Sequence, residues 1–178
     1  MKEVKLFEER IKIPEGTDFT LDNSLIKIKG KKGQVERRLS FHGLEIKKQD
    51  SEVVISFKIK SRKEKKIIKT YISHIKNLIQ GASNGFTYKL KICSGHFPIS
   101  VKIEKDKVII SNFSGEKVPR KSKILDNVAV SIQGDIIKVE SPDIEKAGQT
   151  AANLEAATKI KNKDRRVFQD GIVIIERP

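Results

Sequence analysis

The chain has 178 residues, with 37 Lys and Arg against 23 Asp and Glu, a formal charge of +14 and a single cysteine. That length suits one large domain or two small ones, and a half-chain is just long enough to close a core of its own. No run of about 18 apolar residues exists to supply a membrane-spanning helix, and the charge favours a polyanionic partner, either nucleic acid or an anionic membrane surface.

Taken in order, Met1–Pro14 reads as a polar lead-in in which Ile11 and Ile13 alternate. Its first residues hold no apolar signal-peptide core and are too acidic for a transit peptide. With one cysteine and no disulfide pattern, this predicts a reducing, intracellular setting. Thr17–Leu21 and Leu25–Lys29 read as strands joined at Asp22-Asn23-Ser24, with Ile26 and Ile28 on one face and Lys27 and Lys29 on the other. Val35–Phe41 is the return arm of a hairpin, and Leu44–Lys47 and Val53–Ile59 add two strands. The spacing of Ile67, Ile68, Tyr71, Ile72, Ile75, Leu78 and Ile79 predicts a helix over Arg62–Ala82, ended by Gly81 or Gly85. Lys65, Lys66, Lys69 and Lys76 lie mainly on its solvated side, and His74 flanks the apolar face.

The second half predicts strands at Phe86–Cys93, Ile99–Ile103, Lys107–Asn112, Val128–Ile132 and Ile136–Glu140. Ser141 reads as the N-cap of a helix over Pro142–Lys159, with Pro142 in its first position. Gly148, Ala151, Ala152, Ala156 and Ala157 make that helix thin enough to approach a sheet closely. Beyond it lie a basic run, Lys161–Arg166, and a strand, Gly171–Glu176.

The two halves echo one another. Gly115 follows Gly33 by 82 residues, and at that shift Ile110 meets Ile28, Arg120 meets Arg38 and Ser122 meets Ser40. Val54–Phe57 likewise meets Ile136–Val139. The expectation is an α+β protein of two tandem copies, 1–83 and 84–178, each an antiparallel β-sheet packed on one α-helix.

Catalytic chemistry finds little support. Cys93 and His96 have no evident group to orient the imidazole, and His42, His74 and His96 are too scattered for a metal site. Gly30-Lys31-Lys32-Gly33 lies in a hairpin with the wrong spacing for a phosphate loop. The reading is therefore of no enzyme, no cofactor, no metal and no small-molecule substrate. Polyanion binding remains. Lys159–Arg166 carries five basic residues and one acid in eight positions, and the arm with Lys117, Arg120, Lys121 and Lys123 is its candidate neighbour. A polar patch poor in aromatics suits phosphate contact and shape recognition of folded RNA.

Several segments together resemble the family of the sixth large-subunit ribosomal protein (L-six), in its archaeal and eukaryotic branch. They are Gly85–Lys91, His96-Phe97-Pro98, the Asn112–Lys117 hairpin and Arg165–Ile172, set in two tandem repeats. Val173 stands where that branch commonly has tyrosine. The resemblance implies a structural constituent of the cytoplasmic ribosome that braces large-subunit rRNA near the sarcin–ricin loop and the docking region of translational GTPases, beside neighbouring large-subunit proteins. The alternative is a free-standing RNA- or protein-binding adaptor on the same fold. By resemblance, the RNA-binding positions are Ser94, His96, Lys117, Arg120, Lys121, Lys159, Lys161, Lys163, Arg165 and Arg166, to which charge adds Lys123. Phe168 and Gly171 are implied to anchor the tail.

Overall fold

Alternating apolar and charged side chains build most of this molecule as antiparallel strands, because a period of two puts every second residue on the buried face. The computed structural model describes residues 5–22, 24–39, 44–49, 52–59, 61–95, 97–164 and 166–178, with backbone alone at 5, 6, 58 and 59. Asn23, Ser40 to His42, His96 and Arg165 lie outside the described residues. The chain divides into two units, 1–85 and 86–178.

In the first unit the strands are β1 (Lys5–Lys12), β2 (Asp18–Asp22), β3 (Leu25–Gly30), β4 (Gly33–Arg38), β5 (Leu44–Gln49) and β6 (Glu52–Ile59), followed by helix α1 (Arg62–Ser83). They form two antiparallel sheets, β1-β6-β5 and β2-β3-β4. The lead-in expected over Met1–Pro14 is instead a full strand, β1, running from Lys5 opposite Ile59 to Lys12 opposite Glu52. Its alternation is masked by Glu9, which occupies the inward parity between Phe7 and Ile11 and is held there by an ion pair 2.7 Å from Lys76 Nζ of α1. Ser61 and Glu64 cap α1 reciprocally, Ser61 Oγ accepting from the Glu64 amide and Glu64 Oε2 from the Ser61 amide. Ile68, Ile72, Ile75 and Ile79 face a core filled by Ile26 and Ile28 of β3 and Val53 and Ile55 of β6. Each such side chain contributes about 1.5–3 kcal/mol by leaving water. Ile67 stays exposed, one step off the buried stripe, and His74 is half-buried. The helix ends at Asn84, whose amide donates to the carbonyls of Gln80 and Gly81.

The second unit repeats the plan. Its strands are β7 (Phe86–Cys93), β8 (Ser100–Glu104), β9 (Lys107–Ser111), β10 (Arg120–Lys123), β11 (Ala129–Gln133), β12 (Ile136–Ser141) and β13 (Gly171–Glu176), with α2 at Ile144–Ala157. The sheets are β11-β12-β7-β13 and β10-β9-β8, so β7-β12-β11 matches β1-β6-β5, and β13 is an added strand on β7. Duplication of sheet and helix is thus the observed architecture. Ile55 and Phe57, and their echoes Ile137 and Val139, are all buried.

The gapless 82-residue match breaks inside the hairpin. Ile28 pairs with Val35, whereas Ile110 pairs with Arg120, so the second arm is displaced by three residues. Arg120 therefore takes the place of Val35 rather than Arg38, and Ser122, opposite Val108, takes that of Arg37, opposite Ile26. The cause is the connection. Gly30 and Gly33 close a two-residue turn, while the second copy inserts a longer loop with a one-turn 3-10 helix at Phe113–Gly115.

Helix α2 also starts later than expected. Asp143, not Ser141, is its N-cap, accepting from the Glu145 amide at 2.9 Å. Ser141 closes β12 instead: its hydroxyl donates to the Asn127 carbonyl and accepts from the Asp143 amide. Of the small residues on α2, Gly148 and Ala151 face the sheet, whereas Ala152 and Ala156 are exposed. A β-carbon at Gly148 would lie 2.9 Å from Tyr88 Oη of β7, and Ala147 and Ala151 are fully buried.

Candidate nucleic-acid interface

Alternation along β10 sends Ser122 into the core and leaves Lys121 and Lys123 exposed on the outer face. Lys121 lies opposite Ile109, which is itself opposite Lys102; Lys123 lies opposite Lys107, which faces Glu104 on its other side. Four lysines thus share one face of the β10-β9-β8 sheet with one acid. Like charges directly opposite one another are unfavourable in the absence of an anion. Lys102 and Lys107 were not singled out from the sequence. The alternation Val101-Lys102-Ile103-Glu104, laid against β9, is the signal that identifies their face.

Arg120 opens the same strand but turns onto the tail. Its Nε and Nη2 donate to the two carboxylate oxygens of Glu116, and Nη1 donates to the carbonyls of Ala157 at 2.9 Å and Lys159 at 3.2 Å. The guanidinium also lies 4.2 Å from the ring centroid of buried Phe113. The Arg120 hydrogen bond, and then the charges of Arg120 and Lys163, hold the Glu116 carboxyl below its ordinary pKa, against the opposing effect of desolvation. Most of Arg120's donors are therefore used inside the protein, where they tie the last turn of α2 to the hairpin. Lys163 makes a second link, donating to Ser114 Oγ at 2.8 Å with its ammonium 4.8 Å from the Phe168 ring centroid.

Two further contacts return the tail to the sheet. Thr158 Oγ1 accepts from the Ile172 amide at 2.9 Å at the start of β13, and an Asp170 carboxylate oxygen accepts from the Gly95 amide at the end of β7. Ser94 is exposed beside that junction. Between these anchors Lys159, Lys161 and Lys163 are exposed. Arg166 is exposed too, but its guanidinium grips Asp164, with Nη2 2.8 Å from Oδ2. These hydrogen bonds lower the Asp164 pKa and raise that of Arg166.

Arg120 and Lys163 thus tie the hairpin to the tail, and Lys117, Lys121, Lys123, Lys159 and Lys161 are exposed with no ion pair among the described residues. His96 and Arg165, the other expected positions, lie outside the described residues. So does the pairing of Cys93 with His96; Cys93 itself is half-buried on β7. Among the described residues no three potential metal-ligating side chains converge, and no helix is long and apolar enough to cross a membrane.

Fold and surface define the class as a duplicated α+β protein with a cationic face on its second copy. The model of the family described as "Ribosomal protein L6" matches residues 13–85 and 97–171, one segment in each unit. The chain is 46% identical to the large ribosomal subunit protein uL6 of Aeropyrum pernix over 95% of its own length and 93% of the relative's. It is 44% identical to those of Sulfurisphaera tokodaii, over 99% and 95%, and Archaeoglobus fulgidus, over 98% and 92%. The chain belongs to the ribosomal protein L6 family, whose members are structural proteins and not enzymes.

Proposed function

We propose that this chain is a constituent of the large ribosomal subunit in the cytoplasm, and that its second unit braces large-subunit rRNA near the sarcin–ricin loop, close to where translational GTPases dock. Family membership supports the ribosomal assignment, and the resemblance described above supports the location. The observation that carries the RNA-binding surface is the double link of Arg120 to the Ala157 and Lys159 carbonyls and of Lys163 to Ser114. It ties the basic run to the hairpin that carries the basic strand, which supports phosphate contact without first ordering a loose tail.

The experiment is co-sedimentation. The tagged chain is expected to travel with large subunits at moderate salt and to crosslink through Lys121, Lys123 and Lys161 to rRNA around the sarcin–ricin loop. A chain that stays in the supernatant would instead be the free adaptor. Crosslinks confined to a distant rRNA domain would refute the location while keeping the subunit assignment.

A further inference from the structure

We infer that Phe97 is a stacking platform for one unpaired nucleobase, set at the edge of the phosphate-binding surface; this rests on the RNA-binding reading above. Phe97 is 45% exposed, whereas the other described aromatic residues are buried or half-buried. An exposed phenylalanine alone means little, since single apolar residues are common on surfaces. This one is held in place. Its ring edge abuts Gly115, where a β-carbon would lie 3.4 Å from Cζ and where φ is +79°, a conformation that suits glycine. The next residue, Pro98, accepts a hydrogen bond from the Asn112 side-chain amide at 3.1 Å, fixing the 97–98 segment to the same loop. Ser114, adjacent to Gly115, receives the Lys163 ammonium. A rigid aromatic surface is therefore built beside a cation.

That pairing fits the two parts of a nucleotide: a π-face for the base and an ammonium for its phosphate. Charge complementarity favours RNA over a protein partner. The loop also carries exposed Lys117, and exposed Lys121 follows it.

The chain contains no tryptophan, so Phe97→Trp places a single indole reporter at the platform. Purified, protein-free large-subunit rRNA is titrated into the full chain, with an unrelated duplex of equal length as control. Tryptophan emission is expected to be quenched by the rRNA and not by the duplex. Phe97→Ala is expected to weaken rRNA binding on the order of ten- to a hundredfold while Phe97→Tyr stays near wild type, because stacking is what alanine removes. The slope of log affinity against log salt is expected to be unchanged in all three, since no phosphate contact is lost. Urea midpoints equal to wild type establish that the variants fold. Wild-type affinity in Phe97→Ala, or unchanged emission on bound rRNA, overturns the platform while leaving the RNA-binding reading intact. Quenching seen only when large-subunit proteins are added assigns the surface to a protein and also overturns it. If the wild-type chain itself shows no preference for rRNA, the functional reading falls and the platform with it.

Discussion

Arg120 shows how a cation in a basic cluster can serve the protein before it serves a ligand. A forked guanidinium can hold a carboxylate and two carbonyls together while lying against an aromatic ring; a lysine ammonium has neither the fork nor the plane. Arg120→Lys is therefore expected to lower the urea-unfolding stability of the second unit by about 2 kcal/mol, the worth of charge-assisted hydrogen bonds to partly buried partners. Amide exchange should quicken at 158–163. The Glu116 carboxyl, depressed below 4.5 when folded, contributes stability that is present above that value and is lost as pH falls through the lowered folded pKa. Stability measured from pH 7 down to pH 3 should show that loss, and Glu116→Gln should flatten it. An unchanged acid limb in Glu116→Gln would place the linkage elsewhere. On the proposed RNA-binding reading, phosphate contact then falls mainly to the cations that the protein does not itself engage.

The tail is an element without regular structure, and it is fixed by side chains at its two ends. Thr158 is its inner hinge, its hydroxyl donating towards the end of α2 and accepting from the Ile172 amide that starts β13. Thr158→Val keeps the shape but orphans a buried amide. It is expected to cost about 1–3 kcal/mol, read as a lower thermal midpoint with β13 exchanging first. Elements of this kind mark where the sequence was legible and where it was not. Strands Phe86–Cys93 and Gly171–Glu176 were legible to the residue, the first because its apolar positions repeat every two places, the second because a short β-branched run follows a glycine. Strand β1 was not, because Glu9 sits inward and is excused by a helix residue 67 positions away. The N-cap of α2 was misplaced because Ser141 and Asp143 are both good caps and only the fold commits Ser141 to Asn127. In the candidate site the tail's charge density was plain. The role of Arg120 was hidden, since two of its acceptors are backbone carbonyls 37 and 39 residues along the chain. Lys102 and Lys107 were missed because a face has no meaning until strand register is known.

At the scale of the whole molecule, duplication has produced two units of one plan with different surfaces. Gross charge favours the first half, with 20 basic and 11 acidic residues over 1–80 against 17 and 12 over 81–178. Net charge alone would therefore point to the first copy rather than to the one proposed to hold the RNA-binding surface. What distinguishes the second is the added strand β13, the basic tail before it and the longer hairpin loop to which the tail is tied. The central claim is that exposed lysines of this second copy neutralise rRNA phosphates, and salt dependence measures it most directly. Five phosphate contacts, one for each of Lys117, Lys121, Lys123, Lys159 and Lys161, give a slope of log affinity against log salt of about −3.5 to −4.5. The triple variant Lys121→Ala, Lys123→Ala, Lys161→Ala should lose about 0.7–0.9 of that slope per residue on large-subunit rRNA. A slope identical to wild type in the triple variant, with affinity retained, would contradict the claim.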